Sequence, residues 1–307
     1  MRIAAIDIGT NSTLLTVADT DGRTIKPVLE RCEITRLGRG VSSTQSISEQ
    51  GLASTLEAVR SYRADCTRLG VERLHATGTS AMRDAGNGAW ALRAFAEAGV
   101  EVEIIAGERE AQLTYLSAAR DFGGGGPLAV IDVGGGSTEV ITGGGDAISW
   151  HRSFNVGVVR GREMFIRNDP PTGQEHALIY RWACSMFDPV PRVPGVGVVA
   201  VAGTPTTLMA VSRGVTDYRR SAVHGMKMTS GEIRGLFRTI TSLPFSARLG
   251  IHGLEEKRAD VIDAGALILL AAMQALGTEK ITVSDGGVRW GLLWEMAGEL
   301  TPRTARR

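Results

Sequence analysis

A carboxylate, a glycine turn and a pair of hydroxyls follow one another twice in this chain. The first copy is Asp7-Ile8-Gly9-Thr10-Asn11-Ser12-Thr13 and the second is Asp132-Val133-Gly134-Gly135-Gly136-Ser137-Thr138. Both read Asp-apolar-Gly-x-x-Ser-Thr. Each follows an apolar run (Ile3 to Ile6; Leu128 to Ile131) and leads into a second alternating segment. An acid at a strand end can orient Mg²⁺ or its waters, since that cation takes one or two carboxylates and keeps much of its water. Glycine lets backbone amides approach anionic oxygens, and hydroxyls add donors. A single Asp-x-Gly is more often a turn residue that satisfies its own backbone; the repetition argues for function at Asp7 and Asp132. Two such hairpins facing each other across a cleft would grip one phosphorylated ligand from both sides.

Other residues fit the same chemistry. Gly134, Gly135 and Gly136 are the candidate phosphate cradle, because they follow a strand-end acid and precede Ser137-Thr138-Glu139. The runs Gly143 to Gly145 and Gly123 to Gly126 read as a hairpin turn and a linker. Glu139 is either a second metal carboxylate or, by strand alternation, an outward residue. Gly107-Glu108-Arg109-Glu110-Ala111 opens a helix, where acids suit the dipole; one of Glu108 and Glu110 could polarise water, and the spacing does not separate them. Gly203 and Thr204, with Pro205 at a first helical position, join an apolar strand to a helix whose free amides can bind phosphate. Asp285-Gly286-Gly287 resembles that turn. The five histidines show no metal-ligand spacing, and there is no nucleophile elbow and no Walker A loop.

These groups need a scaffold. The pattern predicts strands at 3–8, 13–19 and 24–35, with Asp21-Gly22 as a hairpin turn. A helix over 48–69, capped by Ser48, comes next. Then follow a strand at 73–78, a helix at 88–98, a strand at 100–106 and a helix at 108–119. The Gly-rich bridge from Phe122 to Pro127 is the expected boundary and flexing point, giving domains 1–122 and 123–307. Strands at 128–133, 137–142 and 147–154 then repeat the meander, with helices at 158–167 and 173–187. A strand at 196–201 leads to a helix at 204–213. Thr229-Ser230-Gly231-Glu232 is a capping box. A helix over 254–276, a strand at 280–284 and a helix through Trp290 and Trp294 complete the order, with Pro302 and Arg306-Arg307 in a frayed tail. The fold class is α/β: two duplicated domains with an interdomain cleft, the last helix free to pack back on the first domain.

Composition sets bounds. The chain has 307 residues, 43% apolar and 22% charged, with a net charge of +1. That balance fits two globular domains and lacks the basic excess of a nucleic-acid binder. The three cysteines are dispersed, which suits a reducing cytoplasm. The N-terminus enters a strand directly, without a signal-peptide pattern, and the longest apolar run, 264–276, is too short to span a bilayer.

The chain resembles the exopolyphosphatase / guanosine pentaphosphate phosphohydrolase family of the actin, sugar kinase and heat-shock chaperone ATPase superfamily. The match runs through 5–12, Ala76 to Ala85, Gly107 to Leu113, Val130 to Glu139, Gly157-Val158-Val159-Arg160, Gly203 to Leu208 and Arg258-Ala259-Asp260. The resemblance implies ribonuclease H-like, actin-like domains. It makes Glu110 the catalytic carboxylate, and Asp132 and Glu139, with Asp7, the metal-side acids. It makes Gly134 to Ser137 the terminal-phosphate loop, and Thr10, Asn11, Ser12, Ser80 and Arg83 further phosphate contacts. Gly203 and Thr204 match the second phosphate loop. The implied substrate is inorganic polyphosphate or guanosine pentaphosphate, with no nucleic-acid or membrane partner. The closing block reads Gly287-Val288-Arg289-Trp290-Gly291, with Trp where the family carries an acid. Longer members append a helical region that holds long polymer; without it, shorter chains or a homodimer that completes the channel are expected. The rival readings are a small-molecule kinase and a non-enzymatic filament protein.

Overall fold

The computed structural model describes residues 1–299 of the chain. It divides into two compact units, residues 1–117 with the last helix, and residues 118–287.

The first unit is built on a five-stranded sheet in the order β3-β2-β1-β4-β5. The strands are β1 (Arg2–Ile8), β2 (Thr13–Thr20), β3 (Ile25–Glu33), β4 (Arg73–Gly78) and β5 (Val102–Ile104). β1 is apolar on both faces, as a central strand must be, and pairs antiparallel with β2 and parallel with β4. β3 is an edge strand with no buried residue, and it tolerates Pro27 for that reason. The helices are α1 (Val41–Thr44), α2 (Glu49–Arg68), α3 (Ser80–Asp84), α4 (Gly88–Glu97) and α5 (Gly107–Phe122). Ser48 caps α2 by accepting from the Gly51 amide, and Leu52, Val59, Tyr62 and Cys66 press into the core on one sheet face.

The second unit has a six-stranded sheet, β10-β11-β9-β6-β7-β8. Its strands are β6 (Pro127–Val133), β7 (Thr138–Gly144), β8 (Ala147–Phe154), β9 (Gly197–Val201), β10 (Lys227–Thr229) and β11 (Lys280–Val283). Its helices are α6 (Val158–Phe165), α7 (Gly173–Met186), α8 (Gly203–Ser212), α9 (Arg220–Val223), α10 (Ser230–Thr241), α11 (Phe245–Arg248) and α12 (Ile262–Leu276). The order β8-β7-β6-β9-β11 repeats β3-β2-β1-β4-β5, with β10 added antiparallel at the edge of β11. Capping boxes start both α7 (Thr172 with Glu175) and α10 (Thr229 with Glu232). α12 is buried on nearly every side, which explains its lack of a polar face.

α13 (Val288–Glu299) packs on β1 and β2 and fills the other face of the first sheet with Leu292, Leu293 and Met296. Arg109 of α5 pairs with Glu295 of α13. A Cβ on Gly291 would stand 2.2 Å from the Leu113 carbonyl oxygen, so α13 and α5 meet backbone to backbone.

Three expected elements differ. The strand over 100–106 shortens to β5. The helix over 254–276 divides into a single 3-10 turn (Glu256–Arg258) and α12, because the Ala259 carbonyl accepts from Arg248 Nη1 at 3.2 Å rather than from a helical amide. α5 runs beyond residue 119 into the expected bridge and closes with the Gly123 amide on the Ala119 carbonyl. The short α1, α3, α9, α11 and β10 were not expected. Pro302 and Arg306-Arg307 lie outside the described residues. Among those residues no helix is long and apolar enough to cross a membrane.

Candidate active site

Both repeats fold into the same turn. The Gly9 amide donates to the Ser12 carbonyl at 2.9 Å, and the Gly134 amide donates to the Ser137 carbonyl at 2.9 Å. In each unit the chain leaving the third strand then crosses the turn and locks it. In the first, the Arg36 amide donates to the Asn11 carbonyl (3.0 Å) and the Gly38 amide to the Thr10 carbonyl (2.8 Å). In the second, Val158 donates to Gly134 (3.0 Å) and Val159 to Gly135 (2.9 Å), while Arg160 Nε donates to the Gly136 carbonyl (3.0 Å). The last threonine of each repeat is a strut for this crossing. Thr13 Oγ1 bonds Thr35 Oγ1, and Thr138 Oγ1 donates to the Val156 carbonyl.

The consequence is a polarised turn. Its carbonyls are consumed by the crossing segment. Among the described residues no protein acceptor takes the amides of Thr10, Asn11, Gly135 or Gly136. Unpaired amides grouped on one turn form an anion-binding concavity. Sequence reasoning found the loops but missed Gly38, and it quoted Gly157 and Arg160 in the family match without giving them the role of holding the loop. Gly38 and Gly157 are required by space: a Cβ would stand 2.3 Å from Thr10 Cγ2 in one case and 2.3 Å from the Gly135 carbonyl oxygen in the other.

In the first unit the remaining residues gather at the same strand ends. The Thr79 amide donates to the Ile8 carbonyl, which seats α3 beside the turn. Ser80 Oγ donates to Asp84 within α3. Arg83 Nη1 donates to the Ile105 carbonyl (2.9 Å) and to Glu110 Oε2 (3.1 Å). Glu110 is 8% exposed, whereas Glu108 lies at the surface of the first turn of α5. Burial therefore separates two acids that spacing does not.

Asp7 is the electrostatic outlier. Its Oδ1 is buried with no hydrogen-bond partner, and desolvation, opposed by the nearby Arg289 guanidinium, lifts its carboxyl from 3.8 to about 6. A carboxyl that binds its proton more tightly when folded adds stability at low pH, and that contribution fades as pH rises from about 4 through about 6. In cation-free buffer, Asp7→Asn is expected to flatten the stability profile between these limits and to raise stability at pH 7 by on the order of 2 kcal/mol. Urea titrations at pH 4.5 and 7 check this; an unchanged slope between them would disprove it.

In the second unit Asp132 (8% exposed) sits directly opposite Glu139 (1% exposed) on the β6–β7 ladder. Strand alternation does not turn Glu139 outward; it is buried and accepts from Ser153 Oγ at 2.6 Å. Gly134 and Gly135 are half-buried, and Gly136 and Ser137 are buried. Gly203 follows two residues after Val201, the register partner of Asp132 on β9. α8 starts at Gly203 without a side-chain cap hydrogen bond from Ala202. The Thr204 hydroxyl packs where a Cβ on Gly265 of α12 would stand, 2.5 Å away. The Arg258 guanidinium occupies the space a side chain on Gly203 would need, a contact the sequence does not reveal although Arg258 lies in the family match. The similar turn at 285–287 is less open: the Asp285 amide donates to His224 and the Gly286 amide to Ser284 Oγ.

The residue before Gly203 carries strain. Ala202 adopts φ 72°, ψ −169°, a region otherwise kept for glycine, at a cost of about 1–3 kcal/mol. Ala202→Gly is expected to raise stability by about 1 kcal/mol after the ~0.5–1 kcal/mol that glycine's freer unfolded chain costs. Thermal unfolding measures it; a lower midpoint would mean that the strain is relieved elsewhere.

Among the described residues no group of three or more His, Cys, Asp or Glu forms a metal cage.

Comparison with known proteins places this arrangement. The chain is 30% identical to exopolyphosphatase 2 of Mycobacterium tuberculosis, over 97% of its own length and 99% of that protein's. It is 26% identical to a guanosine-5'-triphosphate,3'-diphosphate pyrophosphatase of Photobacterium profundum, of which it spans 61%. The Ppx/GppA family member of Aquifex aeolicus superposes with a TM-score of 0.83 at 34% identity, covering 97% of this chain and 98% of that one. The exopolyphosphatase of Cytophaga hutchinsonii shares the fold with a TM-score of 0.88 at 24% identity, covering 98% and 99%. The Ppx/GppA phosphatase family model matches residues 16–300, and the chain belongs to that family, with its actin-like two-domain fold.

Proposed function

We propose that this protein is an exopolyphosphatase that releases terminal orthophosphate from inorganic polyphosphate with the help of a divalent cation. The observation that carries the reading is Glu110: a buried carboxylate fixed by Arg83, at the strand ends of a unit whose neighbouring turn presents unpaired amides. The near full-length relationship to the mycobacterial exopolyphosphatase supports the substrate class.

In this reading Glu110 takes a proton from water as the water oxygen attacks the terminal phosphorus. The bridging P–O bond breaks, and the electron pair leaves with the shortened chain. The transferring phosphoryl group gathers charge on its outer oxygens. Amides of Gly135 and Gly136, the Ser137 hydroxyl and the start of α8 at Gly203 and Thr204 take up that charge. Thr10, Asn11 and Ser12 supply the corresponding contacts from the first repeat. Ser80 and Arg83 add phosphate contacts from α3, and Arg83 also orients Glu110.

The residues fit a hydrated hard cation. Asp7 offers a buried carboxylate oxygen with no hydrogen-bond partner among the described residues, and Asp132 and Glu139 offer a facing pair. Mg²⁺ needs only one or two carboxylates, keeps its waters and draws its other ligands from phosphate. When bound it would neutralise phosphate charge. A reducing cytoplasm is the compartment this reading implies, and the three dispersed cysteines suit it.

The test is Mg²⁺-dependent orthophosphate release from short polyphosphate, long polyphosphate, guanosine pentaphosphate and ATP, measured side by side. Fastest release from polyphosphate is the expected result. Faster release from guanosine pentaphosphate would move the enzyme to the other branch of the family. No release from any of them would overturn the proposal.

A further inference from the structure

The two repeats share a turn but not the neighbours of their acids. Asp132 is in register with Glu139 on β7 and Val201 on β9. Asp7 is in register with Leu14 on β2 and Thr77 on β4. A second carboxylate beside Asp132 is therefore replaced, beside Asp7, by a hydroxyl on the opposite flank. Register partners on adjacent strands share one sheet face at about 5 Å.

Thr77 is fully buried, and its Oγ1 has no hydrogen-bond partner. The Oδ1 of Asp7 is in the same condition. A buried hydroxyl left alone costs about 1–3 kcal/mol, and native interiors rarely tolerate one without an occupant. Here two orphaned oxygens stand on neighbouring strands of one face. An occupant shared by the two must donate to a carboxylate and satisfy a hydroxyl. A water meets both needs, and a water carried by a hard cation meets them with favourable charge. An anion does not, because Asp7 would repel it.

We propose that Thr77 Oγ1 and Asp7 Oδ1 together hold a water of a divalent cation's coordination shell. This makes Thr77 a positioning residue of the cation in the first unit and leaves the two half-sites chemically unequal. The second unit offers a carboxylate pair, and the first a carboxylate with a hydroxyl. The proposal rests on reading Asp7 as a cation-side acid.

The experiment uses the full chain without substrate and Mn²⁺ as the probe, read by water-proton relaxation and by thermal unfolding. Thr77→Val removes the hydroxyl at constant shape. Without Mn²⁺ the valine variant is expected to unfold about 2–4 °C or more above wild type, because an orphaned hydroxyl has gone. With Mn²⁺ its affinity is expected to be about tenfold weaker, the worth of one hydrogen bond to a charged cluster. Thr77→Ser is expected to bind Mn²⁺ within about twofold of wild type, and Asp7→Asn to lose at least as much affinity as the valine variant. Equal Mn²⁺ affinity in wild type and Thr77→Val overturns the proposal, as does a valine variant that is less stable without Mn²⁺, since the hydroxyl would then serve a structural bond. Orthophosphate release by the wild type is measured separately. If it is absent, the enzymatic reading fails while the Mn²⁺ comparison still decides the role of Thr77.

Discussion

Replacing Glu110 by glutamine is expected to lower kcat for orthophosphate release by about 10²–10⁴-fold, the usual worth of a positioned base. KM is expected to stay within a few-fold, because the residue acts on water and not on the polymer. Glutamine keeps an oxygen that can accept from Arg83, which in the native protein donates to Glu110 at 3.1 Å while bonding the Ile105 carbonyl. The substitution therefore removes basicity while preserving the local frame, and the thermal midpoint should hardly move. Glu108→Gln is the matched control. It changes an exposed acid in the same helical turn, where the helix dipole contributes about 0.3–1 kcal/mol. Steady-state phosphate release on both variants decides the assignment. A Glu110→Gln protein as active as wild type would remove this residue from the mechanism, and a Glu108→Gln protein that lost its turnover would transfer the role.

The contrast between these two acids shows what a sequence can carry. The repeat, most of the strands along the chain and the loops were legible because they depend on local grammar: apolar runs of strand length, a strand-end acid, a glycine turn, a cap. The register that places Asp132 opposite Glu139 follows from the length of the β6–β7 hairpin. Burial at a helix start is different. Glu108 and Glu110 both suit the dipole, and only the packing of α5 and the reach of Arg83 from α3 distinguish them. The same limit applies to Gly157, Gly38 and Thr77. Each has its meaning from a segment distant in sequence that passes over it or lies beside it. Ala202 shows the opposite case, in which local preference reads against the observed backbone and the surrounding strand-to-helix turn prevails. The broken start of α12 has a similar cause: Arg248, ten residues or more away in sequence, captures a carbonyl that helical periodicity assigns to the next turn.

Gly157→Ala is expected to cost about 10²-fold in kcat although it adds one methyl group outside the loop it would damage. Gly157 has φ −136° and ψ 162°, ordinary extended values that alanine adopts freely. The obstacle is space: the added Cβ would stand 2.3 Å from the Gly135 oxygen and 2.4 Å from the carbonyl carbons of Gly135 and Gly136. Those atoms are backbone and cannot rotate aside as a side chain would. The loop or the start of α6 must move, and both are tied together by the amides of Val158 and Val159. A shift of about 1 Å is enough to misdirect amides that serve only where charge develops, and such misplacement costs about 10²-fold. Overpacking of this kind also destabilises by about 1–3 kcal/mol, so activity must be compared well below the lowered unfolding midpoint. Gly173→Ala supplies the control, since it begins α7 with open space around its Cβ and gains helix propensity of about 1 kcal/mol or less. If Gly157→Ala retains wild-type kcat while Gly173→Ala does too, the 134–137 loop either tolerates the displacement or takes no part in phosphoryl transfer, and the cradle must be sought at the start of α8.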